Sequence, residues 1–205
     1  EKVFGKEIIN LKFFKFDYFT FNKRKYLISK SGFSKQGGFE IHTENIDGAL
    51  ELYDYFFKIG KEFNLKPGTP NHPERIEGGL LSYGSDMDIF NNPFECGFDK
   101  YVDLNSDIFF LGKENLKKIK EKGIKKKLMG VKIESTTISV NEGIPILDSD
   151  NNEIGELRSG AFSPRFKKIV GIAMVKKDFS NISQKFQIKL NDKLVSGEIC
   201  SLPIL

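Results

Sequence analysis

One acid stands out as able to do chemistry. Glu40 ends the run Ser31-Gly32-Phe33-Ser34-Lys35-Gln36-Gly37-Gly38-Phe39-Glu40-Ile41, in which glycine-permitted turns lead into an apolar, strand-like stretch. Strand alternation puts Phe39, Ile41 and Thr43 on one face, so Glu40 and His42 share the other. A carboxylate held there can accept hydrogen bonds from a ligand's donor edge, and its charge makes those bonds stronger and more directional than neutral ones. The competing reading is an outward-facing strand acid.

Other repertoires are poorly supplied. With His42 and His72 as the only histidines, neither a histidine-based triad nor a three-histidine metal site can be assembled from this chain. There is no phosphate-binding glycine loop followed by Lys-Ser/Thr, no Gly-x-Gly-x-x-Gly, no Cys-x-x-Cys and no His-Glu-x-x-His. Cys96 and Cys200 are too isolated in sequence for a metal motif and read as reduced thiols. Chemistry must therefore rest on carboxylates, aromatics, arginine or a bound cofactor, and no catalytic residue or metal ligand is assigned.

The elements that must position Glu40 are legible as patterns. Leu11 to Phe19 and Lys25 to Ser29 are aromatic and β-branched runs broken by Asn22-Lys23-Arg24, which predicts a hairpin, with Phe39 to Thr43 as a further strand. From Asn45 the period changes to that of a helix of about four to five turns. Its apolar stripe is expected along Leu50, Tyr53, Phe57 and Gly60 or Phe63. A short helix is expected over residues 71–77, ended by Gly78-Gly79, and another over 111–122, closed by Gly123. Beyond residue 125 the helical period disappears, and turn signals such as Asn141-Glu142-Gly143 and Asn191-Asp192 punctuate short strands. The expected class is α+β, with an α/β unit over residues 1–124, a Lys-rich linker, and a small β-barrel or sandwich over residues 125–205.

Composition bounds the alternatives. The 205 residues are 39% hydrophobic and 29% charged with a net charge of +4, enough chain for a real core. No run approaches eighteen consecutive apolar residues, so no membrane span is expected. The lysines around 117–127 read as a solvated helix end and linker rather than a nucleic-acid surface. The opening Glu1-Lys2-Val3-Phe4-Gly5 shows no signal peptide, which favours a cytoplasmic location, and the missing initiator Met suggests a piece of something longer.

Four blocks carry a resemblance. Ser31 to Glu40 resembles the folate-binding signature of the glycine-cleavage T-protein (aminomethyltransferase) family. Arg75-Ile76-Glu77 followed by Tyr83-Gly84-Ser85-Asp86 is similar to its Arg-Leu-Glu and Tyr-Gly-x-Asp. Asn92 to Gly97 is similar to its Asn-Pro-x-Glu-x-Gly, and Ser159 to Pro164 to its Ser-Gly-x-x-Ser-Pro. Lys35-Gln36-Gly37-Gly38 and Pro70-Asn71-His72-Pro73-Glu74-Arg75 resemble the dimethylsulfoniopropionate demethylase branch more than the aminomethyltransferases. Asn71 stands where the latter have arginine, and Phe33 where they have tyrosine.

The resemblance implies tetrahydrofolate as cofactor and transfer of a methyl group from a sulfonium, giving 5-methyltetrahydrofolate and a thioether acid. Aminomethyl transfer from an amine donor and a non-catalytic folate-binding module are the alternatives. Glu40 would then hold the pterin, with Phe33 and Phe14 facing pterin or substrate unless Phe14 is simply core. His42 would be a ligand contact or a satisfied strand histidine. Arg75 would reach the folate tail or a substrate carboxylate, or else form a structural ion pair. Family members run to roughly twice this length, so the expected partner is the amino-terminal half of the same protein, with a homodimer left open.

Overall fold

The computed structural model describes residues 1–33, 37–140 and 142–204. The chain divides into two compact units, Glu1–Asn71 and His72–Leu205.

In the first unit, β1 (Phe16–Phe21) and β2 (Arg24–Ser29) form the expected hairpin, and β3 (Glu40–His42) adds to the other edge of β2. Asn22 and Lys23 both take positive φ, 47° and 62°, the two-residue turn whose twist matches that of paired strands. Register sorts the side chains into two faces. Phe19 lies opposite Tyr26, and Ile28 opposite Ile41, on the face covered by α1 (Ile46–Gly60). Phe16, Ser29 and Glu40 form one row on the opposite face, and Tyr18, Leu27 and His42 form the next.

Helix α1 starts at Asn45, whose side chain accepts from the Gly48 N–H at 2.8 Å, an N-cap that satisfies an otherwise orphaned donor. Gly48 lets the sheet approach closely: the buried Tyr26 hydroxyl donates to the Gly48 carbonyl at 3.1 Å, and a Cβ there would stand 3.3 Å from that oxygen. The buried side of α1 is Gly48, Leu52, Tyr55, Phe56 and Gly60. This corrects the expected stripe, because Leu50 and Tyr53 point outward. The helix is apolar on both sides, so period alone cannot choose which side meets the sheet.

The second unit is a closed six-stranded barrel with a layer of short helices and loops packed on its outside. The strands are β4 (Lys126–Ile133), β5 (Ile144–Leu147), β6 (Glu153–Ser163), β7 (Lys168–Lys176), β8 (Lys185–Leu190) and β9 (Lys193–Cys200). They pair in the order β4-β7-β6-β5-β8-β9, and β9 closes onto β4. Inward residues such as Val131, Ile133, Leu157, Ala173, Val175 and Ile188 fill the barrel. The turn at Asn191-Asp192, φ 48° and 62°, joins β8 to β9 as its sequence suggests. Helices α2 (His72–Glu77) and α3 (Lys113–Lys122) fall close to their expected positions.

Strand β7 is buried on both faces. Val170, Ile172 and Met174 turn outward into a second core with Ile76, Cys96, Leu128, Cys200 and Ile204. The expected Lys-rich linker is therefore not a linker: Lys126 and Lys127 are the first residues of β4, paired with Lys176 and Val175, and the Leu128 N–H donates to the Glu95 carbonyl at 2.8 Å. The long lysine stems can line a strand while their ammonium groups stay in water, which hides such a strand from a charge-based reading.

Candidate functional site

Glu40 lies on the face of the first unit's sheet that α1 does not cover. Its carboxylate is exposed and accepts from the Ser31 hydroxyl, which in turn lies 3.0 Å from the Ser29 hydroxyl two residues back along the chain. This serine pair fixes the direction of the carboxylate without burying it. His42 is exposed on the same face, two residues along β3.

The structure adds two residues that sequence reasoning missed. Phe16 is in the Glu40 row and Tyr18 in the His42 row, and both rings are exposed. Of eight aromatics between residues 13 and 33, register alone separates these two from Phe19, Phe21 and Tyr26, which point to α1. Alternation within β1 carried the signal, but it becomes decisive only once one face is known to be core. Phe14 precedes β1 with φ 59° and stacks on Phe13 with ring centroids 4.2 Å apart. At 70% exposure it is not part of the first unit's own core. Phe33 is also exposed. Ser34, Lys35 and Gln36, on which part of the methyl-transfer reading rests, lie outside the described residues.

Arg75 belongs to the second unit, and its side chain is engaged there. It is 4% exposed and donates to Asp86 Oδ2 at 2.5 Å, to Ser159 Oγ at 2.9 Å, to His72 Nδ1 at 3.3 Å and to the Leu80 carbonyl at 3.4 Å. Because His72 Nδ1 is an acceptor, its ring carries its proton on Nε2 when neutral. Partial desolvation, and secondarily the Arg75 guanidinium, hold the His72 pKa below its ordinary value, with Asp86 opposing. The ion-pair reading of Arg75 is thus realised in the geometry.

Two of the sequence blocks clasp each other. Arg75 bonds Ser159, and Glu77 accepts from the Ser163 hydroxyl at 2.6 Å, so the Arg-Ile-Glu turn is fastened to the Ser-Gly-Ala-Phe-Ser segment of β6. A bulge makes this possible. Leu157 pairs with Ala173 but Ser159 pairs with Ile172, so Arg158 is an extra residue in the ladder. The Arg158 guanidinium donates to the Asp86 carbonyl at 3.0 Å and to Asn91 Oδ1 at 2.6 Å. Asp86 Oδ1 and Asn91 Nδ2 are buried without a partner among the described residues, an acceptor and a donor that ordered water can satisfy. His72, Arg75, Arg158 and Ser159 line a polar cavity of about 410 Å³, which also holds Asp88 and Glu156. The third block is a local cap: Asn92 Oδ1 accepts from the Phe94 and Glu95 N–H groups, while Glu95 Oε2 accepts from the Asn92 N–H.

Residues 2–106 match the GCVT N-terminal domain model, and residues 126–205 match the glycine cleavage T-protein C-terminal barrel domain model. The chain belongs to the glycine cleavage T-protein family. Among curated family members it is 34% identical over 174 residues to the dimethylsulfoniopropionate demethylase DmdA of Ruegeria pomeroyi, covering 85% of this chain and 47% of that protein. It is 32% identical over 197 residues to the aminomethyltransferase of Thermoanaerobacter pseudethanolicus, covering 91% and 51%. The solved aminomethyltransferase T of Bartonella henselae superposes with a TM-score of 0.78 at 23% identity, over 88% of this chain and 50% of that one. The chain thus spans about half the length of the curated relatives it matches. Among the described residues no helix is long and apolar enough to cross a membrane, and no group of His, Cys, Asp and Glu side chains could hold a metal ion.

Proposed function

We propose that this chain forms part of a tetrahydrofolate-dependent one-carbon transferase, whose reaction is demethylation of dimethylsulfoniopropionate to methylmercaptopropionate with formation of 5-methyltetrahydrofolate. The carrying observation is the open sheet face, where an exposed, serine-oriented carboxylate shares its row with the exposed Phe16 ring and the exposed Tyr18 ring lies in the next row. That donor set fits a flat heterocycle. Glu40 can accept from the amino and ring N–H groups of a pterin, and Phe16, Tyr18 and Phe33 offer faces and edges for stacking.

Tetrahydrofolate, when bound, supplies the N5 amine that accepts the one-carbon unit. A sulfonium donor is already activated, because the carbon–sulfur electron pair returns to sulfur as the neutral thioether leaves. The chain's residues then need to supply neither a nucleophile nor an acid. Their task is alignment, which can contribute roughly 7–11 kcal/mol of barrier lowering when reacting atoms are held near attack geometry. Aromatic faces also favour a sulfonium cation through their negative quadrupole.

Identity to the Ruegeria demethylase, with Asn71 and Phe33 at positions where the aminomethyltransferases differ, supports methyl over aminomethyl transfer. The second reading, aminomethyl transfer, is supported by relatives of nearly the same identity. In the relatives both activities belong to proteins about twice this length, so the test joins this chain to the segment its relatives carry beyond it. The expected product with dimethylsulfoniopropionate is 5-methyltetrahydrofolate, reduced at least tenfold by Glu40→Gln. A protein that binds folate but yields product only from an aminomethylated lipoyl carrier would establish the second reading instead.

A further inference from the structure

Helix α1 has a second apolar stripe that the described residues of its own unit leave largely exposed. Ile46, Leu50, Tyr53 and Phe57 follow one another at spacings of four, three and four residues, the repeat of a helix face that meets another element. Leu50 is 55% exposed and Tyr53 is 53% exposed, and Tyr53 stacks on the half-buried Phe57 with ring centroids 4.5 Å apart. The opposite side of the same helix already packs on the sheet through Leu52, Tyr55 and Phe56. A helix that is apolar on both sides belongs between two layers, and this unit supplies one.

The relatives indicate what the other layer is. The chain covers 47% and 51% of two curated family members, and 50% of a solved one whose fold it reproduces at a TM-score of 0.78. About half of each such protein is therefore additional polypeptide. We propose that the outward stripe of α1 is the docking seat for the polypeptide corresponding to that uncovered half, with Leu50 and Tyr53 at its centre. The seat is separate from the ligand face, because α1 covers the side of the sheet that Glu40 and His42 turn away from. It is therefore independent of which one-carbon group is transferred.

The test is co-expression of this 205-residue chain with the tagged segment of the Ruegeria pomeroyi demethylase that lies outside the 174 aligned residues. Co-purification is scored for wild type, Leu50→Lys, Tyr53→Lys and the uncharged Tyr53→Gln. Lysine keeps good helix propensity, and both positions are more than half exposed, so the variants should retain the wild-type far-ultraviolet circular dichroism. The expected result is retention of the wild-type chain, at least a tenfold loss for either lysine variant, a smaller loss for Tyr53→Gln, and full retention of Glu40→Gln. Equal retention of wild type and lysine variants would overturn the proposal, as would failure of the wild type to co-purify. A homodimer of the chain dissolved by Tyr53→Lys and unaffected by the segment would also overturn it, assigning the stripe to a second copy.

Discussion

Removing the Asp86 carboxylate should destabilise the second unit more than any surface change. Asp86 is fully buried, and its Oδ2 accepts from Arg75 at 2.5 Å and from the Ser82 N–H at 2.7 Å. Asp86→Leu leaves the Arg75 charge without a counter-ion in a site where it is 4% exposed. Breaking a buried pair in this way costs about 3–5 kcal/mol. The neutral acceptors that remain, Ser159 Oγ, His72 Nδ1 and the Leu80 carbonyl, place the expected loss in the lower part of that range, about 3 kcal/mol. At about 2–4 °C per kcal/mol for a chain of this size, the thermal midpoint should fall by roughly 10 °C. The double variant Arg75→Met/Asp86→Leu should recover at least half of the loss, because it removes the stranded charge as well. Urea unfolding followed by circular dichroism measures both. A single variant within about 1 kcal/mol of wild type, or a double variant worse than the single, would refute the view that the buried Arg75 charge depends on Asp86 as its counter-ion.

Two further predictions concern titration. Unfolding frees His72 to bind its proton at the ordinary value of about 6.5, so its contribution to stability should be constant above that pH and fall as pH drops below it toward the lower folded pKa. His72→Gln should flatten the acid arm of a urea-midpoint profile, and an unchanged slope would remove His72 from the account. Burial pushes the Cys96 and Cys200 thiols up to about 11, so both should react with a thiol reagent at neutral pH only as fast as the unit opens. Rapid stoichiometric labelling of native protein would contradict this.

Local signals in the sequence were good guides wherever backbone chemistry decides the outcome. The Asn22-Lys23 and Asn191-Asp192 turns, the Asn45 cap and the Asn92–Gly97 turn depend on neighbours within a few residues, and they form where those residues stand. What stayed hidden depends on distant partners. Whether Leu50 or Leu52 meets the sheet is decided by packing on a helix apolar on both sides. Arg75 finds Ser159 across 84 residues, through a bulge that no local pattern announces. Glu40 was visible because its glycines are local, whereas Phe16 and Tyr18 needed the register of the strand pair.

Strand β7 has a consequence for where this protein can be cut. The family's barrel segment begins at residue 126, yet the outward side chains of β7 pack under Ile76 and Cys96, which precede that point by tens of residues. A barrel released at residue 126 would bare Val170, Ile172 and Met174 as a contiguous oily band on an otherwise closed cylinder. The boundary along which such segments are inherited is thus not the boundary along which this one melts: helix α2, its following loops and the barrel share one strand, and must gain or lose their order together.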